Sequence, residues 1–242
     1  MVLHLGAGMP QDARIARGER GGSARLLMMM SVHRAAIVAY GMVGVVQEGT
    51  ELQVDLASGL LRGVAQIASP NYDARPPEVE PDLIVVHGIS LPPGEFGGPW
   101  IDRLFANTLP HDAHPYFAEV GPLRVSSHLV VRRDGAVTQY VKFTDRAWHA
   151  GKSSFEGREA CNDYSIGIEL EGTDTLAYDG AQYQALAQVI AALCKAYPGL
   201  SPERVVGHSD IAPGRKTDPG PAFDWPHARG LIERACARLD RT

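Results

Sequence analysis

Cysteine is scarce in this chain, and its spacing excludes more than its rarity does. Cys161, Cys194 and Cys236 lie far apart and are odd in number. They make a poor disulfide framework, and without a CxxC pair they suggest no thiolate metal site. Reduced thiols in a reducing cytoplasm are the expectation. Long apolar runs are missing too. None reaches the roughly 18 residues of a bilayer-spanning helix. The nearest, "AAIVAYGMVGVV" (35–46), is interrupted by glycines, and no small-residue cleavage pattern follows it. Nor is there a surplus of positive charge: a net charge of -5 gives no reason to expect a nucleic-acid or anionic-membrane partner. Internal repeats and long low-complexity tracts are absent as well. A cytoplasmic protein without nucleic-acid or membrane partners is therefore expected.

What is present is an ordinary globular composition, 45% hydrophobic and 21% charged, in 242 residues that suit a single domain. Residues 1–52 differ from the rest. "MPQDARIARGERGGSARLLMMMSVHR" carries Arg and Gly without helical or strand periodicity and then a methionine triplet. This stretch reads as a poorly structured N-terminal extension, compatible with a translation start at Met28, Met29, Met30 or Met42. The folded domain is expected over 53–242.

Strand and helix signals alternate from there. "LIVVHG" (83–88) suits a strand covered on both faces. "RVSSHLVV" (124–131) and "AVTQYVKF" (136–143) flank an Asp134–Gly135 hairpin signal. "YSIGIELEG" (164–172) and "RVVGH" (204–208) are further strands. A helix over 180–197 places Tyr183, Leu186, Ile190, Leu193, Cys194 and Tyr197 on one stripe, with Asp179 as N-cap and Pro198–Gly199 as stop. A last helix begins after Asp224 and buries Leu231, Ile232, Ala235 and Leu239. The fold class is α/β: one domain with a central mixed sheet flanked by helices.

The stretch "GHSDIAPGRKTDPGPAFDW" (207–225) is rich in glycine and proline, so it reads as a loop, yet it carries chemistry. His208 ends a predicted strand, as does His87. Taken alone, a histidine there is an ordinary core residue. Together, feeding a loop with Asp218, two imidazoles and a carboxylate suit zinc with one coordination position left open. In "SIGIELE", Glu169 and Glu171 share one face and Ile166, Ile168 and Leu170 the other. Glu171 is expected in solvent. Glu169 is either solvated or placed to accept a proton from an attacking water. Lys216 is either a solvated loop lysine or an oxyanion partner. Arg215 faces solvent or a substrate carboxylate, and Trp148 contacts a sugar or packs in the core. His128 is expected to be structural, and His149 is left open.

These segments together strongly resemble the AmpD-type 1,6-anhydro-N-acetylmuramoyl-L-alanine amidases of peptidoglycan recycling. The likeness runs through "SPNYDARP", "LIVVHGISLPPGEFGGPWID", "HPYFAEVGPLRVSSHLVVRRDG", "RAWHAG", "CNDYSIGIELEGTDTLAY" and the 207–225 loop. It implies a zinc amidase related in fold to the peptidoglycan recognition proteins. It also implies metal ligands at His87, His208 and Asp218, a catalytic carboxylate at Glu169 and an oxyanion stabiliser at Lys216. Arg124, Trp148 and Arg215 match positions that hold the anhydro-muropeptide, a small-molecule substrate cut between its lactyl group and L-alanine. Gly88 stands where the family commonly carries asparagine, which implies one lost substrate contact. Three competing readings remain: a zinc amidase acting on intact cell wall, a non-catalytic peptidoglycan-binding module, and an iron oxygenase using His208 and Asp210.

Overall fold

The computed structural model describes residues 52–239. The expectations for residues 1–51, including the alternative starts, lie outside that range. Leu52, assigned above to the extension, is buried in the main core instead.

Six apolar or small residues and one histidine, His87, make β5, Leu83–Ile89, and every one is buried. β11, Ser165–Glu171, is likewise buried throughout. Such runs suit parallel strands covered on both faces. The two pair in parallel along their whole length, with Glu169 opposite His87. β12, Val205–Gly207, lies on the far side of β5, and Gly207 pairs with Val86. β6, Leu129–Val131, lies parallel on the far side of β11. β7, Val137–Gln139, turns back antiparallel through the expected Asp134–Gly135 hairpin, where Gly135 takes φ +82°. β3, Ala65–Gln66, closes the edge of a six-stranded sheet of order β12-β5-β11-β6-β7-β3; β1 (Gln53–Asp55) with β2 (Leu60–Arg62), β4 (Tyr72–Ala74) with β8 (Asp145–Ala147), and β9 (Ser154–Phe155) with β10 (Arg158–Glu159) form separate antiparallel pairs. The expected mixed sheet is thus present.

Helices cover one face. α3, Gly180–Ala196, begins after Asp179, whose backbone N–H donates to Gln182 Oε1 at 3.0 Å. α5, Trp225–Leu239, packs beside it, capped at Asp224 Oδ1 by the His227 N–H at 3.0 Å. Leu186, Ile190, Leu231 and Ile232 fill the space over Ile84, Ile166 and Ile168. Ala235 and Leu239 are only partly buried, less than the stripe predicts. The opposite face is covered by two short helices that the sequence reading did not name: α1, Trp100–Phe105, and α2, Pro115–Val120. At six residues each, neither shows a repeating stripe.

Two further expectations need correction. The strand over 124–131 shrinks to β6, because residues 126–128 spend their polar groups on cross-links. Ser127 Oγ donates to the Gly167 carbonyl at 2.7 Å, and Ser126 N–H to the Trp148 carbonyl at 3.1 Å. Glu171 is not solvated. It is 1% exposed, accepts from Gly97 N–H at 2.6 Å and pairs with Arg132 at 3.2 Å. The segment leading into α1 covers that face of the sheet, and the guanidinium is what makes a carboxylate tolerable there.

Candidate metal centre and active site

The register that builds the sheet also assembles the site. His87 and Glu169 sit side by side near the carboxyl ends of β5 and β11, and His208 follows the end of β12 directly. This is where ligands gather in open α/β sheets. His208 opens a four-residue helix, α4 (His208–Ile211), so the 207–225 stretch is not wholly loop. The chain then curls back through residues 212–217. Ser209 N–H donates to the Asp218 carbonyl at 3.0 Å, which fixes Asp218 beside both histidines.

The three side chains converge. His87 Nδ1 lies 3.0 Å from His208 Nδ1 and 3.2 Å from Asp218 Oδ2, and His208 Nδ1 lies 3.1 Å from the same oxygen. All three residues are buried, and they form a group able to hold a metal ion. The chemistry of the donors supports that use. His208 Nε2 faces the Ala150 carbonyl at 3.2 Å, so the ring proton belongs on Nε2. Burial, reinforced by His87, lowers the His208 pKa to about 4 and keeps the ring neutral. Its Nδ1 lone pair therefore points at a carboxylate oxygen and another ring nitrogen. A divalent cation is the partner that satisfies such a set.

Glu169 is 1% exposed. It lines a small cavity with Ile89, Leu91, Tyr116, Val125 and Ser126, and its place in register opposite His87 sets it one strand from the triangle. Lys216 is half-buried, and desolvation lowers its pKa while the charges of Asp218 and Glu169 counteract that. Its ammonium thus lies within electrostatic reach of both carboxylates.

The substrate positions inferred from the resemblance are placed differently. Arg124 is exposed, with Nη1 donating to the Pro122 carbonyl at 3.3 Å. Trp148 donates its indole N–H to Asp73 Oδ1 at 3.1 Å. Arg215 is exposed and donates to the carbonyls of Ala150 and Lys152 at 2.6 and 2.7 Å. None of the three lines the Glu169 cavity; Arg215 borders a separate open groove with Lys152, Ser153 and Ala212. At Gly88 a Cβ would run into the Tyr178 hydroxyl, which donates to the Pro219 carbonyl at 3.0 Å. A side chain there would require Tyr178 to shift, because the tyrosine hydroxyl occupies the space a larger residue would take. Asp210 folds back to accept from Gly207 N–H at 2.7 Å, which removes it from the ligand set required by the oxygenase reading.

His128 is structural, as expected. Its Nδ1 accepts from Gly167 N–H at 3.0 Å, and Nε2 reaches the Asp145 carbonyl at 3.1 Å. Burial, aided by the Arg75 guanidinium, lowers its pKa to about 3. His149 is lowered in the same direction by burial and by His87. These rings stay neutral when folded, whereas the unfolded chain takes up protons near pH 6.5. Stability is therefore full above about pH 6.5 and is lost as pH falls toward about 3. His128 alone contributes a slope of up to about 1.4 kcal/mol per pH unit. Urea midpoints of the metal-free protein should drop between pH 7.5 and pH 5.5, above the carboxylate range. Equal midpoints would contradict this.

A family model described as N-acetylmuramoyl-L-alanine amidase (Amidase_2) matches residues 77–221, which include His87, Glu169, His208, Lys216 and Asp218. The chain belongs to this amidase family. It is 61% identical over 174 residues to the 1,6-anhydro-N-acetylmuramyl-L-alanine amidase AmpD of Salmonella typhimurium (strain SL1344), covering 72% of this chain and 92% of the relative. To the protein of the same name from Escherichia coli (strain K12) it is 60% identical over 179 residues, covering 74% and 97%. The crystal structure of a Se-Met AmpD derivative superposes with a TM-score of 0.71 at 60% identity, covering 72% of this chain and 97% of that one. The amidase match ends just before α5, so that helix serves the domain core and contributes no residue to the metal triangle.

Proposed function

We propose that the protein hydrolyses the amide bond between the N-acetylmuramoyl lactyl group and L-alanine in 1,6-anhydro-muropeptides, as a zinc enzyme of cytoplasmic peptidoglycan recycling. Residues 53–242 are the catalytic domain, with Leu52 packed into its core. The observation that carries the reading is the buried triangle of His87 Nδ1, His208 Nδ1 and Asp218 Oδ2, with Glu169 in register opposite His87 on the next strand. The high identity to AmpD relatives over nearly their whole length supports the substrate class. Among the described residues, no helix is long and apolar enough to cross a membrane.

His87, His208 and Asp218 hold the ion. When bound, zinc supplies Lewis acidity and lowers the pKa of water from about 15.7 to about 7. Glu169 takes the proton from the attacking water and returns it to the L-alanine nitrogen, which is a poor leaving group until protonated. Its burial on a rigid central strand holds that oxygen in place for both transfers. Lys216 faces the charge that develops on the carbonyl oxygen, and its partial burial strengthens that interaction.

The test is incubation with anhydro-muropeptide and, separately, with intact sacculi, each with and without chelator, read by mass spectrometry. Free stem peptide from anhydro-muropeptide, lost with chelator and restored by zinc, is expected. Intact anhydro-muropeptide after incubation with zinc-loaded protein would refute the reading, and release from sacculi alone would move the substrate to the cell wall.

A further inference from the structure

His149 touches a member of the metal triangle without belonging to it. Its Nδ1 lies 2.9 Å from His87 Nε2, and its Nε2 lies 3.3 Å from Ser165 Oγ. The two imidazoles meet edge-on, with centroids 5.0 Å apart at 87°. The ring is only 3% exposed and occupies a berth that the sheet leaves for it. A Cβ on Gly167 would stand 2.5–2.7 Å from its Cγ, Cδ2 and Nδ1. Gly167 is thus a missing side chain in the middle of a buried strand, where an isolated glycine marks close approach by another group.

The backbone of His149 is anchored as firmly. Asn162 Oδ1 accepts from His149 N–H at 3.1 Å and from Ala150 N–H at 2.8 Å. The next carbonyl, Ala150 O, is the one that receives His208 Nε2–H. One pinned dipeptide therefore faces the outer nitrogens of both imidazoles in the triangle.

The tautomers follow from this arrangement. The proton between His87 and His149 sits on one ring or the other. If His149 donates, the His87 proton moves to Nδ1 and points into the triangle, where it blocks the cation. If His149 accepts, the His87 proton stays on Nε2, and Nδ1 offers its lone pair beside that of His208. His149 then keeps its own proton on Nε2, directed at Ser165 Oγ.

We propose that His149 is a positioning residue: it accepts the His87 Nε2–H proton and so fixes His87 in the tautomer and orientation that bind metal, while the adjacent Ala150 carbonyl does the same for His208. This inference rests on the zinc reading above. Outer partners of ligating histidines are worth about 10–100-fold in metal affinity. His149 is not itself in the ligand triangle, and its ring is buried.

Zinc affinity measured by chelator competition tests the inference, with the melting temperature of the metal-free protein as a control. His149→Leu should weaken zinc about 10–100-fold. His149→Asn, whose side-chain oxygen can sit where Nδ1 sits, should recover most of that loss at a similar metal-free melting temperature. Equal weakening in both variants, or Leu binding as tightly as wild type, would overturn the role. If wild type itself binds no zinc at the triangle, the metal reading fails, a result distinct from the other two. A measurement on unaltered protein gives a second test: 15N-histidine NMR of the zinc-loaded form should show both His87 and His149 protonated on Nε2. A proton on His149 Nδ1 would refute the inference even if the Leu variant does not fold.

Discussion

A Glu169→Gln protein is expected to bind zinc as wild type does and to turn over anhydro-muropeptide about 10²–10⁴-fold more slowly, the usual value of a positioned general base. The two effects separate because Glu169 stands next to the ligands without being one of them. It pairs in register with His87, one strand over, while the carboxylate of the triangle comes from Asp218. Glutamine keeps the shape in a position that is 1% exposed, so the cavity and sheet should survive. What it cannot do is take a proton from water and hand it to the amide nitrogen. The checks are metal content by plasma mass spectrometry and kcat on one purified batch. Normal zinc with near-normal kcat would remove Glu169 from this role, and loss of zinc would make it a ligand instead.

Asp218→Ala should lose both together. Its Oδ2 lies 3.2 and 3.1 Å from the two imidazole nitrogens, and its side chain is buried. Two neutral imidazoles alone offer no charge to offset a dication, and water cannot readily replace the carboxylate at a buried position. Zinc affinity should fall by more than the 10–100-fold typical of an outer partner, and activity should fall to background at micromolar zinc. Circular dichroism should still show the folded sheet, since the triangle lies at strand ends rather than in the core. An Asp218→Ala protein that retains stoichiometric zinc would show that the ion sits elsewhere.

How much of this was legible in the sequence depended on the range of the signal. β5 and β11 could be read because strands buried on both faces leave unbroken apolar runs, and α3 because its stripe repeats over many residues. His87 and His208 were legible as strand-end histidines and Asp218 as an acidic residue in an unlikely loop; their chemistry together suggested zinc, but sequence spacing could not bring them to one place. Glu171 was misjudged because period-2 alternation tells which residues share a face, not what covers that face. The covering came from the segment before α1 and from Arg132, both distant in sequence. Arg124, Trp148 and Arg215 were carried over from the resemblance, and their hydrogen bonds to nearby carbonyls and to Asp73 are side-chain directions that no local pattern encodes. His149 had a faint signal in Gly167, a glycine in the middle of an otherwise buried strand. Its meaning appears only when the ring is seen filling the space.

Anomalous diffraction at the zinc edge locates the ion proposed for His87, His208 and Asp218. Crystals grown with one equivalent of zinc should show a single strong peak about 2.0–2.2 Å from His87 Nδ1, His208 Nδ1 and Asp218 Oδ2. A peak at another place, or none at this triangle in protein that carries stoichiometric zinc, would contradict that placement.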